Sequence, residues 1–395
     1  MLATRPPVLS WFAGLQALVV AALLVRHVVT LDGVVDGDCK VVVGDYLAFH
    51  TGATLIASGE GHSLYDLARQ HAVQDALTGC ALDRWQPYVN PPLLAAALAP
   101  LVALGPRAAF HVFGALCAAA LVFALMALGR ALPTLRAAPG AWRTAALLVV
   151  GFTPVASTLD GGQNTALTLA LLTAFYVAIQ ARHDARAGVW LGLLSYKPML
   201  LPVLLLVLAA QRRWRALGVA AGVVAAHYAL GAAVADADWP ARLVATGARY
   251  RTLEWADNVA THFSLLPFFE RVLPGPIGTS VACAAIAWVA MVAVRRARAA
   301  REAGPHTGAT WALAFTAALL ASAHLQYYDF GLLALPALLG VEHRLASGRA
   351  LRTPERLALT AGYLGYPAYA LSARIGFQPL GVALAVLFVW LWREP

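Results

Sequence analysis

The chain has 395 residues, of which 60% are hydrophobic and 12% charged, and its mean hydropathy is +0.68. Soluble domains carry about a quarter charged residues, so this composition excludes a soluble class and indicates a polytopic protein embedded in a lipid bilayer. The formal net charge of +9 does not indicate nucleic-acid binding, because the basic residues form short clusters between apolar runs and not one basic face.

The first apolar run covers residues 8–29, about 33 Å at 1.5 Å per residue, which is enough to cross the hydrocarbon core. It lacks a convincing small-residue cleavage site, so we interpret it as a retained anchor and not as a signal peptide. Residues 30–106 are rich in acids, and we expect them to form a long extracytoplasmic loop with short surface helices. The apolar run at 92–104 is predicted to be a re-entrant or surface helix of that loop.

Eleven further spans are predicted, which gives about twelve in a single all-α integral membrane domain over residues 1–395. Spans 2–7 occupy 107–235, a second extracytoplasmic loop occupies 236–276, and spans 8–12 occupy 277–392. Their individual ranges are 107–129, 142–158, 163–181, 187–197, 198–210, 216–235, 277–295, 309–324, 330–344, 357–373 and 376–392.

A cytoplasmic amino terminus places every strong arginine cluster on the inner side, which is the pattern that membrane insertion favours. These clusters are Arg130, Arg136 and Arg143; Arg182 and Arg186; Arg212, Arg213 and Arg215; Arg295, Arg296, Arg298 and Arg301; and Arg344, Arg349, Arg352 and Arg356.

The apolar run from 188 to 210 is predicted to be two short helices that break at Lys197 and Pro198. Proline lacks a backbone donor and disfavours helix in the residue before it. Non-helical backbone at membrane depth is tolerated only beside protein or a water-filled cavity. The break therefore predicts a cavity near the outer face.

Polar motifs from distant parts of the chain are expected on that same face. They are D-Y-x-x-F at Asp45 with L-Y-D at Leu64, Y-x-N-P-P-L at Tyr88, D-G-G-Q-N at Asp160, S-Y-K-P at Ser195 and H-L-Q-Y-Y-D-F at His324. In this order they resemble glycosyltransferase family 87 of the GT-C superfamily, over about residues 8–345, with the last two spans fitting only by count. Asn90 departs from the family, whose members usually have tyrosine before the paired prolines.

The resemblance implies an inverting transferase in a bacterial inner (plasma) membrane, with its active site on the extracytoplasmic side. It would move a sugar, typically mannose, from a polyprenyl-phosphate donor to a hydroxyl of a glycolipid or glycan acceptor. Two other classes stay open, a secondary transporter and a lipid flippase or scaffold. Transporters commonly have two related halves, and no repeat is visible in this sequence.

Asp45 is the candidate catalytic base, because a glycosyl phosphate already has a good leaving group and chiefly needs a base for the acceptor hydroxyl. Its position at the edge of a span, beside Tyr46 and Phe49, favours this role. The alternative is one more solvated acid in an acidic loop.

Lys197 is the candidate ligand of the carrier phosphate, since an unpaired intramembrane charge would be costly. The alternative is a lysine that extends to the lipid headgroups. The resemblance also suggests donor-pocket roles for His324, Gln326, Tyr328 and Asp329, whose alternative is ordinary loop polarity.

Other polar residues are candidates for binding the donor sugar or phosphate. Asp160 with its two glycines also fits a simple turn before a helix cap, and the loop arginines also fit a solvated loop. The candidates in this group are Asp160, Gln163, Asn164, Asn90, Arg249 and Arg251.

Two expectations concern cysteines and metals. Cys39 and Cys80 share the predicted outer loop, where an oxidising compartment allows a disulfide, although sequence does not supply the geometry. No H-E-x-x-H motif and no cysteine pair at metal-ligand spacing occurs, so we expect no metal and no other cofactor.

Overall fold

The computed structural model describes residues 7–253, 262–303, 308–364 and 379–394, and the described chain is helical without any strand. One isolated antiparallel bridge joins Val35 and Val41. The α-helices are α1 Pro7–Thr30, α2 Tyr46–Ala57, α3 Leu67–Thr78, α4 Pro92–Leu98, α5 Gly105–Ala131, α6 Pro133–Ala137, α7 Ala141–Gly151, α8 Thr153–Asp160, α9 Thr165–Gln180, α10 Asp184–Leu193, α11 Leu201–Ala210, α12 Trp214–Ala235, α13 Trp239–Leu253, α14 Leu265–Val272, α15 Gly275–Ala303, α16 Gly308–Ala321, α17 Ala334–Ala346, α18 Thr353–Leu364 and α19 Pro379–Arg393.

Four helices in the described ranges are long and apolar enough to cross a membrane: Val8–Thr30, Pro92–Ala131, Trp214–Ala235 and Gly275–Arg301. Between 11% and 33% of their most apolar windows is buried within the protein, so most of that apolar surface is left to face lipid. A bent pair, α7 and α8, would make a fifth span. The membrane class is therefore confirmed, whereas the count of twelve spans remains a prediction.

The bend between α7 and α8 interrupts the predicted span at 142–158. The two helices meet at 50° at Phe152, whose φ of −71° and ψ of 116° are extended. Pro154 lies in the first turn of α8. Proline has no N–H to continue an incoming helix, so it accounts for the break and is well suited to starting the next helix.

Shorter apolar helices occupy the centre of the bundle. In α16 every side chain from Ala309 to Leu320 is buried, and α9 is buried along most of its length. A helix that is apolar on all sides lies in a protein core or spans a membrane, and these two helices are surrounded by protein. Several predicted spans are thus core helices of 10–17 residues, such as Thr165–Gln180 and Gly308–Ala321.

The predicted first loop folds into short helices held by a disulfide. Cys39 and Cys80 are bonded with their Cα atoms 5.9 Å apart, which confirms the expected pairing. Asp66 caps α3 by accepting from the backbone N–H groups of Ala68 and Arg69. Gly79 ends that helix with a φ of +69°, a conformation that glycine adopts at low cost.

The segment at 92–104 forms α4 and then a 3-10 helix over Ala99–Leu104. Gly105, with a φ of +72° and a ψ of 161°, separates it from the run of α5. Tyr88 fixes its start, since its hydroxyl donates to the Pro91 carbonyl at 2.6 Å and accepts from the Ala95 N–H at 3.1 Å. The tyrosine and prolines of this motif therefore have a structural role.

The second predicted loop contains α13 and α14 and packs on the first loop. Thr246 of α13 donates to the Tyr65 carbonyl at 3.0 Å, and Arg242 donates to the His62 carbonyl. These contacts hold α13 against the first loop.

The helix break predicted at Lys197 is present in the structure. After α10 the chain makes 3-10 turns at Leu194–Tyr196 and Pro198–Leu200 before α11 begins. Lys197 itself has a φ of −127° and a ψ of 66°, outside the helical region.

Arg344 was expected among the arginines of an inner loop, but its side chain is only 1% exposed. It pairs with Glu355 and, at 3.1 Å, with Glu394. A buried guanidinium requires such partners, because an unpaired buried charge is strongly destabilising. The ion pairs tie α17 to α18 and to the residue after α19.

Candidate active site

Two glycine turns bring the start of α2 against the end of α8. Gly44 has a φ of +52°, and a Cβ atom there would lie 2.6 Å from the Gly161 carbonyl oxygen. Gly162 has a φ of +58°, and a Cβ atom there would lie 2.4 Å from the Cβ of Tyr46. Only glycine combines these backbone angles with this close approach. The contact places Asp45 beside Gln163.

Asp45 is the residue before α2, but its carboxylate does not cap that helix. Aspartate at this position commonly accepts from the first backbone N–H groups of the helix. Here the carboxylate instead accepts a hydrogen bond from the Tyr328 hydroxyl at 2.9 Å and another from the Gln163 side chain. Its orientation is thus set by residues far away in sequence.

Burial and the neighbouring groups shift the pKa of Asp45 in opposite directions. Burial raises the pKa of Asp45 above its ordinary value of 3.8, since removal from water penalises the charged form. Hydrogen bonds from Gln163 and Tyr328 favour the carboxylate and partly offset that rise. The charge of Asp329 raises the pKa further and that of Lys197 lowers it. The net effect is a carboxylate that is more basic than a solvated one.

Lys197 and Asp329 form a buried ion pair next to this group. Their side chains are 8% and 2% exposed, and the ammonium donates to Asp329 Oδ1. Thr165 Oγ1 donates to the same oxygen at 2.7 Å, and Asn164 Oδ1 lies 3.4 Å from the lysine Nζ. The helix break, the start of α9 and the 3-10 helix Tyr327–Leu333 therefore meet at one carboxylate.

Because Asp329 follows Tyr328 directly, the ion pair also fixes the tyrosine that holds Asp45. The resulting chain of contacts runs from Lys197 through Asp329 and Tyr328 to Asp45. It joins residues that lie 132 and 283 positions apart in sequence.

Aromatic residues lie along the loop that leads to Tyr328. The ring of half-buried His324 lies perpendicular to that of His262, with centroids 4.4 Å apart, and Tyr250 lies 6.3 Å from His324. Gln326 is buried, and its carbonyl accepts from the Asp329 N–H at 2.9 Å. The predicted residues His324 and Gln326 thus belong to the same cluster as Tyr328 and Asp329.

The remaining predicted site residues make other contacts or are exposed. Asp160 is exposed and lies 3.4 Å from His27 Nδ1. The backbone carbonyl of Asn90 accepts a hydrogen bond from the Tyr65 hydroxyl at 2.9 Å. Arg249 is exposed on α13. The side chain of Arg251 lies outside the described set.

Thr165, Tyr250 and His262 were absent from the predicted set. Thr165 immediately follows the D-G-G-Q-N motif, and this adjacency is the sequence signal for it. The sequence around Tyr250 and His262 carries no comparable signal, because only packing brings these residues beside His324. Within the described ranges, no group of three or more His, Cys, Asp or Glu side chains is arranged to hold a metal ion.

These features define a helical integral membrane protein with a polar cluster assembled from its loops and helix breaks. The chain belongs to glycosyltransferase family 87, whose family model matches residues 88–323, more than half of its length. No curated protein and no solved structure matches the chain.

The matched range leaves out part of the cluster. It begins after Asp45 and ends just before His324, whereas Gln163, Asn164, Thr165 and Lys197 lie within it. Through the hydrogen bond of Tyr328 to Asp45 and the ion pair of Asp329 with Lys197, the fold attaches both outer segments to the matched region.

Proposed function

We propose that this glycosyltransferase moves a sugar from a polyprenyl-phosphate carrier to a hydroxyl of a glycolipid or polysaccharide acceptor, on the extracytoplasmic side of the membrane. Mannose is the first sugar to test, on the strength of the family resemblance. The observation that carries the proposal is the Asp45 carboxylate, which is held by Tyr328 and Gln163 and not used as a helix cap.

In this proposal Asp45 acts as the general base. The acceptor oxygen attacks the anomeric carbon, its proton passes to Asp45, and the bond from that carbon to the phosphate oxygen breaks. The electron pair leaves with the lipid phosphate, and the configuration inverts because attack and departure occur on opposite faces. Burial makes Asp45 a stronger base than a solvated carboxylate, which favours proton removal.

Lys197 is proposed to bind the phosphate of the carrier. An ammonium has three N–H donors. Its contacts with Asp329 and Asn164 use two of them, so one N–H is left for an anionic oxygen. Asp329 then keeps the lysine in place before the donor arrives.

His324, Gln326 and Tyr328 are proposed to line the donor pocket, with Gln163 and Asn164 toward the sugar hydroxyls. Support comes from their position in one polar cluster around Asp45 and Lys197. Asp160 and Arg249 are exposed, so a role in binding the sugar donor is less well supported for these two residues.

The test is sugar transfer in liposomes that contain only this purified protein. Radiolabelled polyprenyl-phosphate mannose is supplied with a glycolipid acceptor, and labelled product is separated from donor. We expect product with the opposite anomeric configuration to the donor. Movement of labelled donor or solute across the bilayer without any transfer would contradict the proposal and support a flippase or a transporter.

A further inference from the structure

A cavity of about 230 Å³ lies at the arginine-rich end of the bundle. It is lined by Met126, Gly129, Arg130, Arg136 and Trp142, from the end of α5, from α6 and from the start of α7. At about 30 Å³ per water molecule, the space holds several waters and has room for a phosphodiester group.

The cavity is far from the proposed active site. Phe110, near the start of α5, packs on Tyr46 with ring centroids 5.5 Å apart. Arg130 lies twenty residues later on the same helix, about 30 Å away at 1.5 Å per residue. A ligand here would therefore be separate from the donor and the acceptor.

Both arginines of the cavity are exposed and available to an anion. In the part of the chain that the structure describes, neither guanidinium forms an ion pair or a hydrogen bond. The nearby acid Glu342 accepts from the backbone N–H groups of Thr134 and Leu135, each at 2.8 Å. Its two oxygens are thus engaged at the start of α6.

The cavity continues into an apolar face of α5. Leu116, Phe123 and Met126 are 51%, 48% and 54% exposed, and they share one side of the helix with Arg130. At 100° per residue, positions 116, 123, 126 and 130 fall within about 80° of one another. Because α5 belongs to a candidate span, this face is available to a lipid tail.

Trp142 forms a fixed wall of the cavity. A Cβ atom at Gly129 would lie 2.8 Å from the indole, so the ring rests directly on the backbone of α5. Tryptophan is enriched where the hydrocarbon core meets the headgroups, which suits a headgroup site at this level.

We propose that this cavity binds the phosphate headgroup of an anionic phospholipid, with one acyl chain along the apolar face of α5. The two exposed guanidinium groups provide charge complementarity, and their planar donors suit phosphate oxygens. The continuous apolar face favours a lipid over free phosphate. The site is independent of the proposed sugar transfer.

The experiment uses the full chain in nanodiscs with equal amounts of phosphatidylcholine and phosphatidylglycerol. Retained lipids are counted by native mass spectrometry after extraction into detergent, and titration gives an apparent affinity. The test variant is Arg130→Gln/Arg136→Gln. The control is Arg143→Gln, which removes an exposed arginine next to Trp142 that does not line the cavity.

We expect the wild type and the control to retain phosphatidylglycerol selectively. The double variant should bind it about 30-fold more weakly, since each basic residue near an anionic headgroup contributes about fivefold. Retained phosphatidylcholine and a monodisperse elution profile report on folding in every sample.

Three outcomes would overturn the proposal. One is equal retention of phosphatidylglycerol by the wild type and the double variant. Another is an equal loss in the Arg143→Gln control, which would indicate a general basic surface. The third is binding of inorganic phosphate to this cavity as tight as that of the lipid, which would indicate an anion site without lipid specificity.

Discussion

The Tyr328 hydroxyl donates a hydrogen bond to the Asp45 carboxylate at 2.9 Å, across 283 positions of sequence. This contact connects the first predicted loop with the 3-10 helix Tyr327–Leu333, which comes late in the sequence. It also gives Asp45 an orientation that neither segment would supply alone, since the carboxylate makes no cap hydrogen bond with its own helix.

Replacing Asp45 with asparagine should abolish most turnover while donor binding persists. The amide keeps the size of the side chain but loses its basicity, and general base catalysis typically contributes 10²–10⁴-fold, roughly 3 to 5 kcal/mol of barrier. Sugar transfer per folded molecule and the donor Kd are measured on the same sample. Asp32→Asn is the matched control, because Asp32 is an exposed acid of the same loop. Turnover of Asp45→Asn near that of the control would remove Asp45 from the mechanism.

Removing the Tyr328 hydroxyl should shift the pH dependence of transfer. The hydrogen bond from Tyr328 lowers the pKa of Asp45, so Tyr328→Phe raises it. The active carboxylate form exists above that pKa, and the acidic limb of the kcat/KM profile should therefore move to higher pH. Loss of orientation should also reduce the plateau by about 10- to 100-fold, because one charge-assisted hydrogen bond contributes about 1.5–3 kcal/mol. The control is Tyr228→Phe on α12, which loses a hydrogen bond to the Ala237 carbonyl and should leave the profile unchanged.

Lys197→Met should weaken donor binding, and it should also destabilise the protein. The loss of stability is expected because the Asp329 carboxylate would stay buried without its partner. Removing one partner of a buried ion pair destabilises the folded state by about 3–5 kcal/mol. Lys197→Arg should restore function only in part, since a planar guanidinium does not replace a point charge.

The double variant Lys197→Met/Asp329→Asn separates the two effects. It should recover much of the lost thermal stability, because no buried charge is left alone, while donor Kd remains raised. A donor Kd equal to the wild-type value in the double variant would reject phosphate binding by Lys197. The lysine would then serve only to position Asp329 and Tyr328.

Loss of the disulfide should lower stability without removing the active-site groups. Cys39 and Cys80 are separated by 41 positions, and closing such a loop contributes about 4 kcal/mol in the chain-entropy model. Cys39→Ser/Cys80→Ser should therefore unfold at a lower temperature than Cys283→Ser, which replaces an exposed free cysteine. Mass spectrometry of native protein should find the Cys39 and Cys80 thiols bonded, and two free thiols there would contradict the structure.

Cysteine labelling from intact cells tests the proposed orientation. A probe at Ser58 should react with a membrane-impermeant reagent, and one at Ala299 should not, in a Cys283→Ser background. Both positions are exposed. Ala297 of the same arginine-rich helix is buried, so a cysteine there would not react with the reagent in either orientation. The reverse labelling pattern would place the polar cluster on the cytoplasmic side.

Several features of this protein can be predicted from local sequence alone. Composition and apolar runs predicted a helical membrane protein, and α1 and α5 follow the predicted ranges within a few residues. Pro198 predicted the break at Lys197, because the effect of proline on its neighbours does not depend on distant residues. The motif order indicated the family that the family model confirms.

Tertiary structure alone decided which charges meet and which apolar helices face lipid. A hydropathy run does not distinguish the buried helix Gly308–Ala321 from a lipid-facing span, because both are apolar on every side. Lys197 looked like an isolated cation, yet the fold neutralises it with Asp329, 132 positions away. Such pairs depend on how breaks and glycine turns direct the helices, and the close contact of Gly44 with Gly161 exists only after the helices have packed. For the same reason, sequence supplied Asp45 and Tyr328 as candidates, and packing joined them.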